Sequence, residues 1–321
     1  MSPRLNLTAH ELAGVVGAAA AAANAGLWPL LAQEAHSEAQ LASSTSVDPL
    51  ALSRVLGVLV AAGIVERDPL GRVKLAGHLA DECAATPGGS AALIRLFAGT
   101  PGFLRHAERS GHMDGDGQTR ASAYAPTVGG LGRLFGSAAE QLARELPVVD
   151  EILDVGAGSG IWSLSMAQVS DHTQVTGLDL PKVLDVFRGN AEKYGLYQRT
   201  RVLACDYHEL ELSPAAYDRI VLANVLHLES AAAARQLILR VVPALKAGGQ
   251  IVVVDVFDSG ADAALGHAVY QLHLAMRTQS GFAHARREIE SWLESAGSCT
   301  TEFFPLEGYV RGLGALCANY R

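Results

Sequence analysis

Residues Asp154 to Gly160 read Asp-Val-Gly-Ala-Gly-Ser-Gly, after Ile152-Leu153 and before Ile161-Trp162-Ser163-Leu164. A short apolar run that breaks at glycines and restarts with helix-compatible residues opens a βα unit, which commits this part of the chain to an α/β sheet. Glycines at such a turn take positive φ, and the backbone then comes close to a ligand seated at the helix N-terminus. The spacing separates two ligand classes. A dinucleotide fingerprint requires Gly-x-Gly-x-x-Gly. Here the third glycine arrives one residue early, at Gly160, and Ile161 stands where the fingerprint has glycine. Asp154 ends the strand where a phosphate would be repelled. An acid beside a helix N-terminus suits instead a ligand with a cation and a carboxylate, such as an amino-acid tail.

Three further stations fall at strand ends. Gln174 to Asp179 reads as a second strand closing on a carboxylate, with Leu180 beside it, and such an acid accepts hydrogen bonds from both ribose hydroxyls. Arg201 to Tyr207 is a third strand, in which Asp206 is placed for an adenine amino group and Tyr207 for the ring face. Tyr217 to Asn224 is a fourth, apolar and β-branched as a strand buried on both faces should be. Ligands of open α/β sheets sit outside the carboxyl ends of the strands. The set Asp154, Gly156, Gly158, Asp179, Leu180, Asp206, Tyr207 and Asn224 therefore describes one cofactor site. S-adenosylmethionine (SAM) has an amino-acid tail, a ribose and an adenine, and no phosphate.

These segments, together with Asn224-Val225-Leu226-His227 and Pro243 to Asp255, resemble class I SAM-dependent methyltransferases. The likeness is greatest to the two-domain small-molecule O-methyltransferase group, whose members add an N-terminal winged-helix dimerisation domain. It is strong from Asp150 to Asp255 and weaker outside. It implies a doubly wound, Rossmann-like, mainly parallel sheet in residues 148–321, linker helices and a loop in 96–147, and a winged-helix dimerisation domain in 1–95. It also implies a homodimer acting on a small, aromatic or polyketide-like methyl acceptor.

The residues of the N-terminal part agree with that division. Thr8 to Ala25 reads as a helix ended by Gly26, Trp28 and Pro29; Ser37 starts a short one; Asp48 and Pro49 cap and open a third. Leu50, Val55, Leu56, Leu59 and Val60 form its expected apolar face, and Gly63 to Leu75 is a hairpin. A winged helix commonly reads DNA, but the helix from Pro49 to Ala62 carries one cation, Arg54. DNA readers need several Arg or Lys for phosphates and base edges. With a net charge of −8, no nucleic-acid partner is expected. The run Ala18–Ala23 is read as a closely packed helix, and neither a signal peptide nor a membrane segment is expected. Four scattered cysteines without metal-type spacing fit reduced thiols in the cytoplasm. Gly99 to Pro126 is the loosest stretch, with 108–126 expected as a loop or lid, and Leu131 to Leu146 as a bridging helix.

Methyl transfer is an in-line displacement, and holding acceptor and methyl collinear supplies much of the rate. A phenol of pKa near 10 is ionised to only about one part in 10³ at pH 7, so a general base is useful. The resemblance assigns that role to His227, and to Asp255 the orienting of its ring. A second acid expected by the resemblance falls on Ala283, and Leu228-Glu229 follow His227 where plant-type members have Asp-Trp. These departures keep open a C- or N-methyl acceptor, or a cofactor-binding relative with a non-methylating reaction. A metal held by His227, Glu229 and His273 is a weaker alternative, since His-x-Glu is no recognised ligand pattern, and no metal is expected. His284 is a further histidine placed near the same region.

Overall fold

The computed structural model of the chain describes residues 9–77, 79, 117–257, 263–278, 280–307 and 311–321. Two compact units separate, Met1–Glu108 and Arg109–Arg321.

In the first unit, α1 (Ala9–Asn24), α2 (Leu27–Gln33), α3 (Glu38–Thr45) and α4 (Pro49–Ala61) precede a hairpin of β1 (Val65–Arg67) and β2 (Val73–Leu75). The alanine run is packed: Ala18, Ala22 and Ala23 are buried among Leu27, Trp28 and Leu56 in one cluster. The first helix stops before Gly26 as expected; the left-handed φ of 73° there turns the chain into α2, of which Trp28 and Pro29 are part rather than a terminator. Ser37 and Gln40 form a capping box, and Asp48 caps α4 through the Ala51 N–H. The buried stripe of α4 is Leu52, Leu56 and Leu59, at helical spacing, each worth about 1.5–3 kcal/mol on burial. Leu50, expected on that face, is instead 66% exposed. Among the described residues no single helix is long and apolar enough to cross a membrane.

Among the described residues of the second unit, α5 (Gly117–Leu134) and α6 (Gly136–Glu145) come first, so the expected bridging helix is two helices, and the second half of the expected loop is helical. Its glycines and Pro126 give α5 poor intrinsic propensity. Packing supplies what propensity lacks: Ala121 and Val128 are buried against Val183 and Leu180, and Arg120 pairs with Asp206. The expected loop residues 108–116 lie outside the described ones.

Seven strands follow: β3 (Glu151–Val155), β4 (Gln174–Asp179), β5 (Thr200–Ala204), β6 (Tyr217–Ala223), β7 (Leu245–Val256), β8 (Cys299–Pro305) and β9 (Leu313–Tyr320). Helices α7 (Ile161–Gln168), α8 (Pro181–Lys193), α9 (Ala231–Val241), α10 (Ala263–Arg277) and α11 (Arg286–Ala296) lie between them in sequence. The sheet order is β5-β4-β3-β6-β7-β9-β8, parallel through β7, with β9 antiparallel to both β7 and β8. Alternate residues serve opposite faces: Ile152 and Val221 join Leu142, Trp162 and Phe187, whereas Leu153 and Ile220 join Leu237, Ile238 and Trp292. Both faces are covered, which is why the central strands are continuously apolar. The strand order reverses between β3 and β6, and that switch point opens the crevice where such sheets bind ligands.

Candidate active site

The turn after β3 is shaped by three left-handed glycines, Gly156, Gly158 and Gly160, at φ 67°, 55° and 73°. Two of them are also demanded by space. A Cβ on Gly156 would lie 2.6 Å from Val225 Cγ2, and one on Gly160 would lie 2.6 Å from the Phe187 ring. A Cβ on Gly158 would meet nothing closer than Val128 at 3.7 Å and the Tyr124 hydroxyl at 3.9 Å. Gly158 thus lies on the side of the turn facing α5, and the backbone there is open to close approach. The Gly156 and Ala157 N–H groups donate to Leu178 O, which ties the turn to β4.

Asp179, the acid at the end of β4, is nearly buried and stitches the same turn. Its Oδ2 accepts from Gly158 N at 2.8 Å and its Oδ1 from Leu180 N at 2.7 Å. Each carboxylate oxygen retains a second lone pair. Burial raises its carboxyl, and the two N–H bonds counter that. Asp154 is 2% exposed and accepts from the Ser163 hydroxyl in the first turn of α7. Burial pushes its carboxyl up to about 7, with the Asp179 charge adding and the Ser163 hydrogen bonds opposing. Tyr124, on α5, has its phenol pushed up to about 12 by burial and by the charge of Asp179, with Arg277 opposing. A tyrosine over the glycine turn was not legible in the sequence, because α5 itself was not.

Asp206 and Tyr207 stand at the end of β5 with partners that sequence reasoning missed. Asp206 accepts from His208 N and lies 2.7 Å from His208 Nδ1, and it pairs with Arg120 of α5. Burial opposes ionisation, yet the His208 bonds and the Arg120 guanidinium hold its carboxyl below the ordinary value. The Tyr207 hydroxyl donates to Glu229 Oε1 at 2.7 Å, and its ring lies 4.5 Å, centroid to centroid, from that of His208. Leu180 packs under α5 with Val183 and Tyr124.

Across the switch point, β6 is followed by Asn224, left-handed at φ 56° with its N–H on Val254 O. Asn tolerates that conformation better than most residues. The reversal delivers His227, 5% exposed, in a single 3-10 turn, Leu226–Leu228. Its Nδ1 lies 2.8 Å from Asp255 Oδ1, near the end of β7. A carboxylate only accepts, so Nδ1 carries the proton and the neutral ring keeps its lone pair on Nε2. Asp255 Oδ1 also accepts from Val256 N at 2.8 Å, which fixes the carboxylate in turn.

The segment after α10 braces this turn. Phe282 N donates to His227 O at 2.8 Å, and a Cβ on Gly281 would sit 2.8 Å from that same oxygen. His284 is a structural clamp: its Nε2 lies 3.1 Å from both Leu226 O and Glu229 O, while its ring meets Trp292 edge-on at 5.0 Å. Ala283, at the position of the expected second acid, is buried, and its backbone is bridged by the Gln271 amide. Glu229 turns to Tyr207 and to His208 Nε2 at 2.9 Å, away from any shared site with His227. The His273 side chain lies outside the described atoms.

The model of the O-methyltransferase domain matches residues 133–298, a span that holds the glycine turn, His227 and Asp255. The chain belongs to the O-methyltransferase domain family. Among curated relatives of the family, O-demethylpuromycin-O-methyltransferase of Streptomyces alboniger is 26% identical over 299 residues, which cover 85% of this chain and 77% of that one. Acetylserotonin O-methyltransferase of Mus musculus is 35% identical over 108 residues. That match spans 32% of this chain and only 27% of the mouse protein. In fold, the human N-acetylserotonin methyltransferase in complex with SAM superposes with a TM-score of 0.72 at 17% identity, over 95% of this chain and 94% of that one.

Proposed function

We propose that this chain transfers a methyl group from SAM to a hydroxyl of a small aromatic or polyketide-like metabolite, and that it works as a cytoplasmic homodimer. The observation that carries the reading is the His227–Asp255 pair at 2.8 Å, standing across the switch point from a glycine turn cradled by Asp179. The residues present fit the cofactor. Gly158 leaves open backbone where a Cβ would otherwise intrude, and Asp179 has lone pairs for two ribose hydroxyls. Asp154 lies beneath the turn for the amino-acid tail, Asp206 and Tyr207 stand at the β5 end for adenine, and Leu180, Gly156 and Asn224 shape the walls.

When bound, the cofactor supplies an electrophilic methyl. The chain's own contribution is on the acceptor side. His227 Nε2 takes the proton of the acceptor hydroxyl as the oxygen becomes nucleophilic, and Asp255 stabilises the imidazolium that forms. Deprotonating a phenol of pKa near 10 at pH 7 costs about 4 kcal/mol, within the reach of a base worth about 10²–10⁴-fold. The alanine at position 283 favours one second reading, methylation at an activated carbon or a nitrogen, which needs less help from a base.

The N-terminal unit supplies the two-fold interface in this reading. Leu12 and Val16 on α1 and Leu50 and Val58 on α4 are 49%, 60%, 66% and 37% exposed in the single chain. Two helices that each present large apolar side chains to water mark an interaction face. Sedimentation should find a dimer at micromolar concentration; a stable monomer overturns that part. Calorimetry should give micromolar or tighter affinity for S-adenosylhomocysteine and none for nicotinamide dinucleotides. An acceptor screen with methyl-labelled SAM should then yield an O-methyl product. Binding without any labelled product from hydroxyl acceptors would sink the O-methylation reading and keep the cofactor.

A further inference from the structure

Tyr270, on α10, contacts His227 in a way that sequence spacing could not reveal. Its hydroxyl oxygen lies 3.3 Å from Nδ1 and also 3.3 Å from Nε2. A point that close to both nitrogens cannot lie in the ring plane, because there it would collide with Cε1 on one side or the Cγ–Cδ2 bond on the other. It therefore stands over the face of the imidazole. The ring geometry agrees: the two planes meet at 85° with centroids 5.4 Å apart, so the phenol points end-on at the histidine ring. Such a contact leaves the Nε2 lone pair, which lies in the ring plane, open to an acceptor.

We propose that Tyr270 is the positioning residue that fixes the plane of the His227 ring, so that Nε2 stays aimed at the acceptor hydroxyl; this rests on His227 being the general base. Asp255 holds one edge of the imidazole, but a single hydrogen bond leaves the ring free to rock about its Cβ–Cγ bond. The phenol on its face stops that motion, since any rotation drives the ring into the hydroxyl oxygen. The support is itself braced. Gln271, the next residue on α10, bonds both the N–H and the C=O of Ala283, which ties α10 to the segment beneath the His227 turn. The contact also tolerates both protonation states. Over the neutral ring the O–H points at the π face, and over the imidazolium it rotates so that an oxygen lone pair meets the positive charge. Burial, then the nearby Asp255 charge, holds the phenol neutral throughout, well above its ordinary value.

The test is a double-mutant cycle on the full-length enzyme, with a phenolic acceptor found by the labelled-SAM screen. Tyr270→Phe removes only the oxygen in contact and should lower kcat about 3–10-fold, with KM and S-adenosylhomocysteine affinity little changed. In a His227→Ala background the same change should alter kcat by less than about twofold, because there is no base left to aim. Nitrogen spectra of the His227 ring, read without turnover, should show one sharp Nε2 signal in the native protein and exchange broadening in Tyr270→Phe. Equal losses from Tyr270→Phe in both backgrounds, or no loss with an unchanged ring spectrum, would overturn the proposal and leave the base assignment standing. A His227→Ala variant with nearly native turnover would remove the base and, with it, this role for Tyr270.

Discussion

The two sides of the switch point hold their residues by different means. On the β3–β4 side, the ligand-facing shape is set by backbone: three left-handed glycines, N–H groups on Leu178 O, and an aspartate bonded to Gly158 N. On the β6–β7 side, side chains from two elements meet one imidazole, Asp255 from β7 and Tyr270 from α10, and Gln271 and the 281–284 segment brace the turn that carries it. Backbone shape is written in contiguous glycine spacing and admits almost no substitution. A side-chain constellation is assembled across sequence separations of 28 to 58 residues, and each member has a narrower effect.

The contrast is broken most forcefully at Gly160. Gly160→Ala forces a Cβ into Phe187 at a left-handed φ, combining about 1–2 kcal/mol of conformational strain with about 1–3 kcal/mol of overpacking. Urea unfolding should show a loss of about 2–5 kcal/mol, with ligand binding abolished. A near-native stability would mean that the turn is softer than its geometry implies.

Asp179→Ala comes next. It deletes the proposed ribose acceptor and releases Gly158 N, and calorimetry with S-adenosylhomocysteine should register a loss of about 1.5–3 kcal/mol. Unchanged affinity would remove the ribose assignment.

That glycines and strand-end acids stood out in the sequence, and that Tyr270 and Tyr124 did not, follows from the same contrast. The stations Asp154, Asp179, Asp206 and His227 each sit at a strand end, where period and punctuation mark them. Arg120 and Tyr124 ride on α5, a helix with Gly and Pro in its interior that forms through burial against Val183 and an ion pair to Asp206. Local propensity carries no trace of such tertiary support. His284 was visible as a histidine, but its role as a clamp on two carbonyls became clear only when the fold brought it beneath Leu226 and Glu229. Of the expected α4 face, Leu56 and Leu59 are buried and Val55 and Val60 pack against them; Leu50 alone departs, for a simpler reason. Leu50 lies in the first turn of α4, and the i, i+4, i+7 series that is buried starts two residues later, at Leu52.

Asp154, beneath the glycine turn, makes the β3 side sensitive to pH. Its folded value of about 7 stands above the ordinary 3.8. Its contribution to the stability of the ligand-free protein is therefore fully present below about pH 4 and lost as pH rises through about 7. Binding runs the other way. The proposed ammonium beside Asp154 selects the carboxylate, so S-adenosylhomocysteine affinity should rise about fivefold between pH 6 and pH 7, about twofold more by pH 8, and level off above. Asp154→Asn should flatten that curve; an Asn variant with the same slope would place the titrating group elsewhere.

The smallest expected effect is on the constellation side. His284→Phe keeps the ring against Trp292 and removes the imidazole donor to Leu226 O, which retains the Glu229 N–H, and to Glu229 O, costing about 0.5–1.5 kcal/mol of stability. Cofactor affinity should move less than stability, since the clamp reaches the adenine side only through Glu229, whose side chain accepts from the Tyr207 hydroxyl. A change in cofactor affinity larger than the change in stability would show that the two halves are one mechanical unit.

If His227 prepares a hydroxyl acceptor for methyl transfer, as proposed, the loss on deleting it depends on the acidity of the acceptor. Single-turnover methyl transfer should be measured for the native enzyme and His227→Ala across a series of substituted phenols. The predicted result is a loss of about 10²–10⁴-fold for acceptors of pKa near 10, shrinking steadily to little or none for acceptors already ionised at the assay pH. A loss that stays constant across the series, or no loss at all, would contradict it.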